Sequence, residues 1–130
     1  MGSFSNYLEN KILDHVFKVA SFTVPTNIYV ALSTADPLDT GAGIAEPVGN
    51  AYARTVCNTW DAASGGATAN TNAVTFPTAT GSWGTITHFA LFDALTVGNM
   101  LAHGSLTTSK AVTTGDTPKF NAGDIDVTLD

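Results

Sequence analysis

The chain has 130 residues and a mass of 13.4 kDa, the size of one ordinary domain, and reads as a single unit over 1–130. Five Lys and Arg stand against 11 Asp and Glu, giving net −6 and a pI near 4.6, which argues against nucleic acid because a phosphate backbone would repel such a chain. Hydrophobic residues at 44 % with charged residues at only 12 % argue against disorder, since this composition buries a core.

The opening MGSFSNYLENK lacks the basic and apolar regions of a secretory signal. No run approaches the ~18 apolar residues of a membrane span, so the expectation is a soluble protein with no membrane partner. The single Cys57 precludes an intramolecular disulfide. A helix is predicted over 6–18. Asn6 and Glu9 have capping-box spacing, and Leu8, Ile12 and Val16, joined by Leu13 and Phe17, form one apolar stripe. After Pro25 the period falls to two, and Ile28, Val30 and Leu32 alternate with Tyr29, Ala31 and Ser33 as in a strand. Residues 36–50 hold two Pro and three Gly without periodicity, a long surface loop of the kind that often carries binding.

Residues 52–60 and 73–76 read as further strands. Residues 83–93 are apolar on both faces, as expected of a central strand. Val97-Gly98-Asn99 signals a turn, and 100–106 returns as the hairpin partner. Residues 110–113, Phe120 and the strict alternation of 125–130 complete the set. The fold expected is mainly β: an antiparallel, jelly-roll-like β-sandwich preceded by one N-terminal α-helix. The abundance of Thr, 20 residues, suits the solvent faces of such sheets.

Signals for chemistry are sparse. His88 and His103 are placed near one another across the hairpin, yet no spacing matches a zinc signature, and no metal or other cofactor is expected. Cys57 lies in an alternating run, where burial is its usual fate; a small hydrolase built on a Cys57–His pair is the third option, to be abandoned if Cys57, His88 and His103 lie far apart. There is no nucleophile elbow and no phosphate loop. Trp60, Trp83, Phe89 and Phe92 read as core in preference to a stacking platform. No enzymatic activity is expected.

The segments Trp83 to Phe89, Phe92-Asp93-Ala94, Gly98 to Leu101 and Gly104 to Lys110 resemble a family of small tailed-bacteriophage virion proteins. The opening Asn6 to Lys11, the run Tyr29 to Pro37, Gly115-Asp116 and the closing Val127 to Asp130 belong to the same pattern. Members are often labelled tail-fibre proteins. The resemblance implies a non-enzymatic virion structural protein, made in the host cytoplasm and assembled onto the particle. Compactness places first a capsid decoration or cement protein, held on the major capsid protein or on copies of itself. The alternative is a tail-fibre or tail-tip component, with tail proteins or a host glycan as partner. Candidate partner-binding residues are Phe4 and Tyr7, large groups without an obvious core partner, and Asp36, Asp39 and Glu46 in the long loop. On that basis deletion up to Ser5 is expected to spare the fold and weaken attachment.

Overall fold

The computed structural model describes residues 2–129. In chain order the elements are β1 (Gly2–Phe4), α1 (Asn6–Val16), β2 (Tyr29–Ser33), β3 (Thr55–Val56), β4 (Ala67–Ala69), β5 (Val74–Thr75), β6 (Gly84–Phe92), β7 (Met100–Val112), β8 (Lys119–Phe120) and β9 (Asp126–Thr128). The protein is mainly β, as expected, with one helix near its N-terminus. Two features depart from the expectation. A strand precedes the helix, and the seven-stranded sheet is mixed. Its order is β3-β2-β6-β7-β1-β9-β4, with β1 antiparallel to β7 but parallel to β9. A separate ribbon pairs β5 with β8.

The β6–β7 hairpin is the centre of the sheet. Its turn forms where the sequence signals it, with Val97 (φ 56) and Gly98 (φ 74) both left-handed. The Asp93 carboxylate accepts from the Asn99 backbone and side-chain amides at 2.7 and 2.9 Å and closes that turn. Further along, the two steps from Ile86 to His88 face five from Ser105 to Lys110, so β7 bulges out of register.

Pairing of Val30 with Leu91 and Leu32 with Phe89 puts these side chains on one face, in the main core. The Phe120 ring stands edge-on to Phe89 and to Phe76, each at 6.2 Å, which seats the β5–β8 ribbon against that face. Fully buried Asn70 pins the turn before β9: its amide donates to the Asn72 and Asn121 carbonyls, and its Oδ1 accepts from Ile125. The opposite face carries a smaller apolar cluster, Ala31, Ala90, Phe92 and Met100, covered by Ile44 of the long loop.

Ser5, not Asn6, caps the helix. Its backbone is extended (φ −78, ψ 160) and its Oγ accepts from Leu8 N–H at 3.2 Å. The helix ends two residues sooner than expected. Lys18 turns left-handed (φ 67), and the Val19 and Ala20 amides close on the Asp14 carbonyl. Only its start docks: Tyr7 and Leu8 pack against the core, while Leu13, Val16 and Phe17 of the predicted stripe stay 54 %, 58 % and 71 % exposed. Of the strand expected over 52–60, only Thr55–Val56 pairs with β2.

The contacts of residues 2–5 count against the expectation that residues up to Ser5 are dispensable to the fold. β1 bridges β7 and β9, and Ser5 is buried, with its Oγ donating to the Met100 carbonyl and its N–H to that of Leu101.

Candidate functional site

The aperiodic loop that follows β2 is ordered by short-range bonds rather than by regular structure. At its base the Ser33 hydroxyl accepts from the Ala35 and Ala45 amides, and Thr34 N–H donates to the Ala45 carbonyl. Pro37 is buried, and Gly43 N–H donates to its carbonyl. Gly43 is required there because a Cβ would lie 2.2 Å from the Asp36 carbonyl oxygen. The loop thus lies along the sheet's second face.

Two polar contacts fasten it. His103, projecting from β7 on the face it shares with Ala90, bonds Asp39 through Nε2 at 2.8 Å, with Asp36 at 3.8 Å from Nδ1. Asp39 also ties the loop to the helix, since its backbone carbonyl accepts from Asn6 N–H at 3.1 Å. The second contact centres on Arg54. Its guanidinium engages Glu46 through both arms, Nε to Oε1 at 3.0 Å and Nη2 to Oε2 at 2.7 Å. Nη1 donates to the Ala94 and Val97 carbonyls, each at 2.8 Å, and the guanidinium carbon sits 3.7 Å from the Phe92 ring centre. One side chain thereby joins the long loop to the β6–β7 turn.

Tyr52 completes the network, donating its hydroxyl to Glu46 at 2.6 Å while accepting from Leu32 N–H at 3.0 Å. Burial works against the Glu46 charge. The bonds from Arg54 and Tyr52 and the Arg54 charge outweigh it, so the carboxyl ionises below its ordinary range. Burial and the adjacent Glu46 push the Tyr52 hydroxyl upward, so it remains a donor. Above this network the two loops present Val48, Leu95 and Val97 at 92 %, 52 % and 84 % exposure, around a depression of about 390 Å³. The three exposed apolar side chains thus stand on two loops that the Arg54–Glu46 pair ties together.

The predicted site residues divide. Asp36 and Asp39 converge on His103, and Glu46 joins Arg54 in the same loop. Phe4 and Tyr7 are elsewhere, and the premise that they lack core partners is corrected: both pack against the main cluster. Arg54 escaped the sequence reading, although a lone Arg within an alternating run signals a cation in need of a buried partner.

His88 and His103 stand diagonally across the β6–β7 hairpin on one face, as expected, but Cys57 does not join them. Cys57 belongs to the main core, whereas His88 and His103 project from the other face of the sheet, and burial raises the Cys57 thiol. Trp83 is 4 % exposed with its indole N–H on the Asn50 carbonyl, and half-buried Trp60 donates to the Cys57 carbonyl. Phe89 and Phe92 are buried, so these aromatics offer no open stacking platform. Among the described residues no helix is long and apolar enough to cross a membrane, and no three His, Cys, Asp or Glu are disposed to hold a metal ion.

No curated protein matches the chain. Residues 3–128 match the family described as podophage GP4 fiber I protein gp80, a span from β1 through β9 that includes the Arg54 network and both loops it joins. Covered almost end to end, the chain belongs to this family of phage fibre proteins and is a component of the virion.

Proposed function

We propose that the protein is a non-enzymatic structural component of the phage fibre apparatus that docks through the tip formed by Glu46–Val48 and Leu95–Val97 onto a neighbouring tail protein. The observation that carries this reading is the Arg54 anchor: three exposed apolar side chains stand on two loops that a largely buried guanidinium holds together. A surface fixed before contact loses little conformational entropy on binding. Asp36 and Asp39 lie in the same loop but are engaged with His103 and do not line the depression. The family description favours the fibre over the capsid-decoration role that compactness suggests. The packed aromatics weigh against a host-glycan module. Phage carrying Val48→Asp with Leu95→Asp should assemble with much less of this protein, while the purified variant keeps its circular dichroism. Immunogold labelling of wild-type particles should mark the tail. Label spread over the head would restore the decoration role, and full incorporation of the variant would remove the tip from the mechanism.

A further inference from the structure

A second pair of features lies away from the docking tip. β1 covers β7 only at Ala102–Gly104, and beyond Gly104 no strand pairs with that side of β7 among the described residues. The bulge leaves Leu106–Ser109 without a residue opposite on β6 as well. Along this uncovered stretch runs a cleft of about 640 Å³, floored by Leu32, Ile86, Phe89, Leu106 and Phe120. Its rim carries Lys110 and Lys119 beside Asp124 and Asp126, a balanced set in a chain of net −6.

Between α1 and β2 lies the reverse shape. Val19–Val24 has no regular structure and no charged residue, with Val19 and Val24 at 74 % and 76 % exposure. Phe22 N–H donates to His15 Nδ1 at 3.1 Å, while Ser21, Thr23 and Val24 make no hydrogen bond among the described residues. The segment is tied at both ends within its own protomer: the Val19 and Ala20 amides bond Asp14, and Ile28 bonds Cys57 and Asn58. Residues 21–24, beyond that helix-terminal turn, reach about 13 Å when extended, enough to lie along the uncovered part of the β7 edge.

We infer that the cleft beside Ser105–Val112 receives the Val19–Val24 segment of a second copy of this chain, as an added extended strand. Exposed apolar side chains would cover the cleft floor, and backbone groups without partners on both sides would find them. An uncharged segment meeting a charge-balanced rim is the approach that least opposes the repulsion between two acidic copies. Because donor and acceptor are different surfaces, the contact is head-to-tail and repeats into a ring or a filament. This goes beyond the docking tip and is tested separately from it, on the purified chain rather than on virions.

Sedimentation of the full chain across a concentration series tests it. The sedimentation coefficient should rise with concentration, and more steeply at higher salt as repulsion is screened. Val24→Asp disables the donor and Thr108→Arg, at an exposed rim position, blocks the cleft. Each variant should sediment as a monomer, and an equimolar mixture should form a dimer and nothing larger, since one intact donor then meets one intact cleft. Val19→Asp, also on the exposed donor, should behave as Val24→Asp does. A wild-type chain that stays monomeric at every concentration overturns the inference. So does association that both variants leave unchanged, or a mixture that remains monomeric.

Discussion

Replacing Arg54 with Met removes the charge while keeping an unbranched side chain over Phe92. Lost with it are the two-armed contact with Glu46 at 3.0 and 2.7 Å and the two donations to Ala94 and Val97 at 2.8 Å. The Arg54 and Glu46 side chains are only 6 % and 23 % exposed, so Glu46 would keep a mostly buried charge with Tyr52 as its remaining bonded partner. Breaking one side of a buried pair costs about 3–5 kcal/mol, and the residual exposure of Glu46 puts this case near 3 kcal/mol. For a chain of this length that corresponds to a fall in Tm of roughly 10 °C. Thermal unfolding followed by circular dichroism at pH 7 measures it. Adding Glu46→Gln to Arg54→Met should recover about 1–2 kcal/mol, because the stranded charge disappears. A fall in Tm under about 2 °C, or a double variant no more stable than Arg54→Met alone, would refute the account of the network.

The same pair sets part of the acid stability. Its folded ionisation lies below the ordinary carboxyl range, so the stabilisation is fully present above about pH 5 and is lost as pH falls through the depressed folded value. Glu46→Gln should therefore flatten stability against pH on the acid side, measured by urea unfolding between pH 7 and 3; an unchanged acid limb contradicts it. At the other end of the chain, Ser5→Ala should cost about 1–3 kcal/mol in urea unfolding, combining a lost helix cap with a Met100 carbonyl left without its donor. Deleting residues 2–5 should abolish the cooperative transition, and a deletion variant that melts like the full chain would show that β1 is dispensable.

What could be read in advance follows how local each cause is. The helix announces itself through the recurrence of Leu8, Ile12 and Val16, and the β6–β7 hairpin through two apolar runs around Val97-Gly98. β1 has no such signature. It is three residues long, and Gly2 belongs in a sheet only because Gly104 and Val127, over a hundred residues away, flank it. The same remoteness hid the core contacts of Phe4 and Tyr7. The helical period was legible, but not its docking: β1 and Ser5 fix the start of the helix to the sheet, so the first turn packs and the last turn projects outward. The long loop could be located because it lacks periodicity. Its anchoring could not, since the Arg54 carbonyl partners lie 40 and 43 residues further on.

That Arg54 serves position more than stability follows from comparing alternatives. A buried ion pair is often matched or exceeded in stability by apolar side chains of similar volume. A Met–Leu pair at positions 54 and 46 would pack beside Phe92 and need no desolvation of charge. It could not, however, reach out to the Ala94 and Val97 carbonyls, nor fix the Glu46 end of the long loop by two bonds of defined direction. Apolar contacts hold loops together without fixing their register, because they are not directional. The guanidinium specifies both loops at once, and Val48, Leu95 and Val97 stand where it puts them. The Arg54→Met/Glu46→Leu variant should therefore keep most of its stability while amide exchange quickens across 94–98. Virion incorporation should then fall with the loss of order in the tip rather than with Tm.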